Sequence, residues 1–349
     1  MGERQRFADL LRKCSKSLLF YKGKEVHGAV VRKGYGLDLM IGNDIIDFYR
    51  KCGRLSLAHA VFDRMLERNI VSWTSLMCGY LQDGDAGKSL MLFREMVFSG
   101  VRPNEYTYST NLKASGVLAA AFEGMQIHSL CCKWGYEWYP VVGNSVIDMY
   151  FKCGRVSDAE SMFHAMPGRS LITWNVMIAG YALDIDGKKS LLLFKELREH
   201  GETPDEYTFT STLKACSAAG AISEGTQIHA LLTASGFPFL SQKILSAALI
   251  DLYVKCGFLI EAHKLFNEAE EKSAISWSAL ILGYAQEDDL SAALDLFREL
   301  RKGDNAIDGL VLSSMMSVFA DFAFAELGKQ LHSYAIKIPS DSKIIKLVG

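Results

Sequence analysis

The chain has 349 residues, 49% of them hydrophobic and 22% charged, with a formal net charge of −2. Such a length exceeds one ordinary core, and the near-neutral balance excludes a protein held on nucleic acid by charge alone, though not base-by-base recognition in a groove. No apolar run approaches the ~18–20 residues needed to span a bilayer, and residues 1–16 lack the apolar stretch of a cleavable signal peptide.

In chain order the sequence repeats itself. Segment 4–38 carries Gly23-Lys24-Glu25-Val26-His27, and the histidine of this pattern returns as His128, His229 and His332. Segment 39–69 carries Tyr49-Arg50-Lys51-Cys52-Gly53, and Lys-Cys-Gly returns at Cys153 and Cys256. Segment 70–104 carries Val71-Ser72-Trp73-Thr74, matched around Trp174 and Trp277. All these landmarks recur after 101 or 103 residues. The beat is composite: segments of 35, 31 and 35 residues follow one another, as 4–38, 39–69 and 70–104, then 105–139, 140–170 and 171–205, then 206–242, 243–273 and 274–308, then 309–345. Two additional residues near Phe237 to Gln242 turn 101 into 103.

Each segment reads as a helical hairpin. In 171–205, Trp174, Met177, Ile178 and Tyr181 fall at i, i+3, i+4 and i+7, the stripe of a buried helix face. Gly180 lies in that stripe and permits close packing. Asp186-Gly187 marks the turn, Leu191, Leu193, Phe194 and Leu197 form the buried side of a second helix, and His200-Gly201 and Pro204 end it. The expected fold is therefore all-α: an α-α superhelix of about ten helix-turn-helix hairpins. Residues 346–349 resemble 140–143, the opening of another short hairpin, so the chain is expected to be a fragment of a longer array. No Cys-x-x-Cys pair occurs among eight cysteines, and their equivalent positions in successive hairpins, such as Cys52, Cys153 and Cys256, are expected to be reduced core fillers. Cys131-Cys132 has no account at this level.

These residues resemble the pentatricopeptide repeat family, in the plant class where P, L and S variants alternate. The resemblance rests on LIDLYVKCG, LITWNVMIAGY, ETPDEYTFTSTLKAC and EGTQIHALL, in S, P and L segments in the usual order, and covers the chain from Arg4 to Gly349. Tetratricopeptide repeats keep one 34-residue period and do not alternate in this way. The resemblance implies L-S-P hairpins that bind single-stranded organellar RNA, one base per hairpin. It implies a mitochondrion ahead of a chloroplast.

In such arrays one reader follows the first-helix aromatic, the second is the last residue of the hairpin, and an apolar residue near the helix start sandwiches the base. Carried over, the reader pairs are Ala8 with Asp38, Asn43 with Asn69 (a pyrimidine reader), and Thr74 with Asn104 (the adenine combination). Next come Ser109 with Tyr139 (atypical), Asn144 with Ser170 (cytosine), Asn175 with Asp205 (uracil), Thr210 with Gln242, and Ala247 with Ser273. The series closes on Ser278 with Asp308 (guanine) and Ser313 with Ile345. The sandwich positions are Met40, Val71, Tyr106, Val141, Ile172, Tyr207, Ile244, Ile275 and Leu310, with Gln5 the departure. A short hydroxyl or amide can meet a Watson–Crick edge without filling the space that the base needs.

Plainer roles compete. Asn43, Asn144 and Asn175 stand near helix starts, where Asn is a common cap, and Asp205 and Asp308 could cap the helix that follows. The recurring histidines lie about a hundred residues apart without second ligands, so packing is expected rather than a metal. The three tryptophans are expected in the core. A zinc deaminase of the kind that follows some such arrays needs His-x-Glu and Pro-Cys-x-x-Cys, and neither occurs. No catalytic residue, metal or cofactor is expected, and a deaminase domain or editing-complex proteins would act in trans or downstream. The reading from a different class is a helical scaffold for protein partners.

Overall fold

The computed structural model describes residues 2–183 and 187–302, together with Met316. These form eighteen helices, and no strand occurs among the described residues. Half are the first helices of hairpins: α1 (Glu3–Lys16), α3 (Leu39–Lys51), α5 (Ile70–Gln82), α7 (Glu105–Val117), α9 (Pro140–Lys152), α11 (Leu171–Leu183), α13 (Glu206–Ala218), α15 (Lys243–Lys255) and α17 (Ala274–Gln286). Each is followed by a second helix: α2 (Phe20–Arg32), α4 (Leu55–Arg64), α6 (Ala86–Phe98), α8 (Ala121–Trp134), α10 (Val156–Ala165), α12 (Gly187–Glu199), α14 (Ile222–Ala234), α16 (Leu259–Glu268) and α18 (Leu290–Lys302). The expected hairpin 309–345, the segment 346–349 and the turn residue Asp186 lie outside the described residues, and so do Asp308, Leu310 and Ser313.

The chain divides into two compact bodies, residues 1–177 and 178–349. In the first, α1, α3, α5, α7 and α9 pack side by side in succession, and α2, α4, α6 and α8 each pack against the first helix of the next hairpin. In the second, α13, α15 and α17 repeat that succession, with α12, α14 and α16 packed forward in the same way. Within each body, successive described hairpins thus bury their apolar faces against one another, as a repeat array requires.

The landmarks of the sequence sit at these junctions. Trp73, Trp174 and Trp277 are all buried, each meeting a phenylalanine of the preceding second helix edge-on: Phe62 at 4.7 Å, Phe163 at 5.0 Å and Phe266 at 4.6 Å between ring centroids. Arg68, Arg169 and Lys272 stand over the rings of those phenylalanines, and Arg169 and Lys272 reach the tryptophan rings as well. Gly79 marks the closest approach in α5, where a Cβ would stand 2.5 Å from Leu55 Cδ2, and Gly283 does the same in α17, 2.6 Å from Leu259 Cδ2. The cysteines of Lys-Cys-Gly correct the sequence reading. Cys52, Cys153 and Cys256 are half-buried C-caps of α3, α9 and α15, not core fillers. The glycine that follows each takes positive φ (66°, 68° and 81°), the left-handed conformation that ends a helix.

The recurring histidines are latches between hairpins. The Nδ1 atoms of His27, His128 and His229 lie 2.8, 2.9 and 2.9 Å from the hydroxyls of Tyr49, Tyr150 and Tyr253 on the next first helix. His59 and His263, which the sequence reading passed over, meet Tyr80 and Tyr284 in the same way. Burial holds the pKa of His27, His128 and His229 below the ordinary value. Arg64 adds to this at His27, while Glu137 and Asp158 oppose it at His128 and Glu268 at His229. The folded chain therefore binds protons at these sites less readily than the unfolded chain, whose histidines titrate near ~6.5. The stability they contribute is complete above that pH and is lost as pH falls through the folded values. Urea midpoints should drop between pH 7.5 and 5.5, and exchanging the three histidines for glutamine should flatten that drop. An unchanged slope in the triple variant would exclude them as its source.

Candidate nucleic-acid interface

Several hairpins end on a residue whose side chain caps the next helix, whereas Tyr139 and Gln242 hold the same position without a capping hydrogen bond. Asp38 accepts from the Met40 and Ile41 amides, Asn69 from those of Val71 and Ser72, and Asn104 from that of Thr107. Asp205 caps α13 through Thr208, and Ser273 caps α17 through Ser276. A capping oxygen satisfies amides that the first turn leaves unpaired, which explains the Asn, Asp and Ser at these positions. Asn43, Asn144 and Asn175 are different. They stand fifth in α3, α9 and α11, past the capping position, so the capping role weighed for them does not hold.

The same fifth position holds Thr74, Ser109, Thr210, Ala247 and Ser278 in α5, α7, α13, α15 and α17. Ser109, Asn175, Thr210 and Ser278 are buried, while Asn43, Thr74 and Asn144 are half-buried. Several of these polar atoms have no hydrogen-bond partner in the protein: Asn144 Oδ1, Thr210 Oγ1 and Ser278 Oγ, with Gln242 Oε1 at the last position of its hairpin. Buried polar groups are ordinarily paired, and leaving one unpaired costs about 1–3 kcal/mol. Four such unpaired atoms stand at the fifth or last positions of their hairpins.

One turn before each fifth residue, on the same helix face, stands the second residue of the helix. In the first body these are Met40, Val71, Tyr106, Val141 and Ile172, and in the second Tyr207, Ile244 and Ile275. Met40 is half-buried and the other seven are exposed, from 47% for Val141 to 64% for Ile172. Exposed apolar residues also occur on second helices, such as Phe98 and Ile260. Single ones are ordinary on a protein surface. What distinguishes the second-position residues is recurrence at one register, each beside a polar fifth residue or Ala247.

In two hairpins the last and fifth residues are linked through the third residue of the hairpin that follows. In hairpin 39–69, Asn43 Nδ2 donates to Asn69 Oδ1 at 3.2 Å, and Ser72 Oγ donates to Asn43 Oδ1 at 2.6 Å. In hairpin 70–104, Thr107 Oγ1 lies 2.8 Å from Thr74 Oγ1 and donates to Asn104 Oδ1 at 2.9 Å. Thr208 donates to Asp205, while Ser170 and Ser273 meet Thr173 and Ser276. Hairpins 4–38, 105–139 and 206–242 differ, because the third residue that follows them is Ile41, Val142 or Leu245, each fully buried. There Asp38 is paired with Arg4 at 2.9 Å, and the Ser109 hydroxyl lies 2.7 Å from Ser145 Oγ. These third residues were not found from the sequence, although the signal is present in it: Ser or Thr after the 31-residue hairpins and after the Trp hairpins 70–104 and 171–205, apolar after the others, Val311 after 274–308 included.

Charge is spent within the helices. Lys51, Lys152 and Lys255 pair with Asp47, Asp148 and Asp251 four residues earlier, at 2.8, 2.7 and 2.9 Å. Among the described residues no group of three metal-ligating side chains comes together, and no helix is long and apolar enough to cross a membrane.

The PPR repeat family matches residues 68–115 and 169–218, and the single PPR repeat matches 43–70, 144–171, 247–273 and 275–304. The chain belongs to the pentatricopeptide repeat family. A pentatricopeptide repeat-containing protein of Arabidopsis thaliana is 48% identical over 97% of this chain and 50% of its own length. Another from Arabidopsis thaliana, named as mitochondrial, is 32% identical over 86% of this chain and 47% of its own length. A third, named as chloroplastic, is 32% identical over 94% of this chain and 41% of its own length. The chain thus spans about half the length of these relatives. Among solved structures, PPR10 in complex with an 18-nt psaJ RNA element superposes with a TM-score of 0.67 at 19% identity, over 88% of this chain and 46% of that one. At that identity the likeness establishes the shared pentatricopeptide repeat fold.

Proposed function

We propose that this pentatricopeptide repeat chain binds single-stranded RNA with one base per hairpin, and that it targets an organellar transcript for C-to-U editing or other processing. The carrying observation is the recurrent pair in each first helix: an apolar second residue, exposed in seven of the eight hairpins from α3 to α17, one turn from a fifth residue that is polar in seven of the eight. The apolar member covers a base face and the polar member meets its edge. Base stacking contributes roughly 1–3 kcal/mol on aromatic platforms, so Tyr106 and Tyr207 contribute more than the aliphatic residues.

In this reading the hairpins run L, S, P from 4–38 to 309–345 within a longer array of the P-L-S class. Catalysis belongs to a deaminase domain elsewhere in the protein or in trans, and the array supplies the address. The organelle is a mitochondrion or a chloroplast, as in the names of the relatives.

With the N-terminus toward the RNA 5′ end, the preferred sequence is Y-A-x-C-U-x-x-G, starting opposite hairpin 39–69. A gel shift with this oligonucleotide against a scrambled one tests the reading. Preference for the ordered sequence is expected, whereas equal affinity would sink the base-reading function. No binding to either, with capture of a peptide instead, would favour a protein scaffold.

A further inference from the structure

We propose that the buried hydroxyl at the third position of the following hairpin, Thr107 for the slot of Thr74 and Asn104 and Ser72 for the slot of Asn43 and Asn69, is a specificity-determining positioning residue that sets which way the readers' hydrogen bonds point. The inference rests on the base-reading function above. It adds a residue that touches no base, since Thr107 and Ser72 are fully buried.

The argument is a count of hydrogens. The Asn104 amide is oriented by the Thr107 backbone N–H, which donates to Oδ1 at 3.0 Å. Oδ1 can only accept, so the Thr107 hydroxyl, 2.9 Å away, must direct its single hydrogen there. Having spent that hydrogen, Thr107 Oγ1 can only accept from Thr74 Oγ1, 2.8 Å distant. Thr74 therefore donates inward. Its hydroxyl offers a ligand lone pairs and no hydrogen, while Asn104, its oxygen engaged, offers its NH2.

The slot thus presents one acceptor and one donor. That pattern complements adenine, whose Watson–Crick edge carries the N6 amino donor and the N1 acceptor. Guanine presents an O6 acceptor where Thr74 has no hydrogen to give. Cytosine shares the adenine pattern but is smaller, and the short threonine leaves space that a pyrimidine does not fill.

In the neighbouring slot the same position works in the opposite sense. Asn69 Oδ1 already accepts from two backbone amides and from Asn43 Nδ2. The Ser72 hydrogen therefore goes to Asn43 Oδ1, the shorter contact at 2.6 Å. The Asn43 amide is locked, with one N–H and one lone pair left for a pyrimidine edge. A hydroxyl at this register relays the hydrogen that the cap leaves over and gives or takes it as the reader demands. Hairpins followed by Ile41, Val142 or Leu245 lack the relay.

The test uses the full chain and RNA oligonucleotides that differ only opposite hairpin 70–104, A against G. Thr107→Val keeps the shape and removes the hydroxyl, releasing the Thr74 hydrogen to donate outward. The A-over-G affinity ratio should fall roughly tenfold, the worth of about one hydrogen bond, with preference opposite hairpin 140–170 unchanged. Thr107→Ser should restore it. Ser72→Ala, which adds no bulk, should likewise weaken pyrimidine preference at its own slot only, and it decides the matter should Thr107→Val fold poorly. Retained selectivity in a folded variant, or a loss spread equally over all slots, overturns the relay while leaving base reading intact. A wild-type chain with no A-over-G preference overturns base reading at that slot, and the relay with it.

Discussion

Trp73→Ala should destabilise the junction of α4 and α5 by about 3–5 kcal/mol, the cost of emptying a large aromatic site that cannot fully collapse. The indole is buried and lies edge-on to Phe62, over whose ring Arg68 stands. Arg68 also donates through Nε to the Phe62 carbonyl, closing the end of α4. Removing the indole takes away the ring that Phe62 packs against and leaves Phe62 and Arg68 beside a vacated site. Trp73→Phe should cost much less, because the ring survives and the buried Nε1 hydrogen, which has no partner, disappears with the indole. In a repeat array, stability is a sum of hairpin and nearest-neighbour terms, so the loss should be local. Hydrogen exchange should quicken in α4 and α5 and leave α1 as it was. Uniform acceleration across the first body would show that the junctions are not separable in this way.

The tryptophans were legible because burial writes itself into periodicity: a stripe at i, i+3, i+4 and i+7 has one physical meaning. The hairpin helices and their glycine stops were legible for the same reason, since helix caps and left-handed residues use a small alphabet. Two things were not. Whether Cys52 fills a core or caps a helix depends on the direction in which α4 leaves Gly53, which spacing does not encode. The histidines were recognised as structural, yet their tyrosine partners lie 21 to 24 residues onward. Pairing at that distance is decided by how α2, α4, α8, α14 and α16 lean on the next hairpin. The third-position hydroxyls were hidden differently. Ser72 and Thr107 look like ordinary members of a capping box, and only the 2.8 Å approach of Thr74 to Thr107 brings the cap beside the fifth residue of the preceding hairpin.

That approach makes Asn104→Asp the most direct test of how a base edge is met. Aspartate caps α7 as well as asparagine does, and its Oδ1 can keep the bonds from the Thr107 amide and hydroxyl. Folding stability should therefore change by no more than about 0.5 kcal/mol. The outward atom changes from a donor NH2 to an acceptor oxygen bearing charge. With Thr74 already restricted to accepting, the slot would offer acceptors alone. Adenine N1 would then face a charged acceptor, whereas guanine brings N1–H and the N2 amino group as donors, whose bonds to the carboxylate outweigh the unmatched O6 at Thr74. Hydrogen bonds to a charged group are worth about 1.5–3 kcal/mol, so the A-over-G ratio should invert by roughly tenfold to a hundredfold in all. The comparison needs only the two oligonucleotides that differ opposite hairpin 70–104, titrated at one salt concentration, because phosphate contacts common to both cancel. An unchanged ratio would mean that Asn104 is a cap and nothing more. Inversion in the wild-type background combined with a still stronger guanine preference in the Thr107→Val background, where Thr74 is free to donate to O6, would place the choice of base in the chain of three side chains rather than in any one of them.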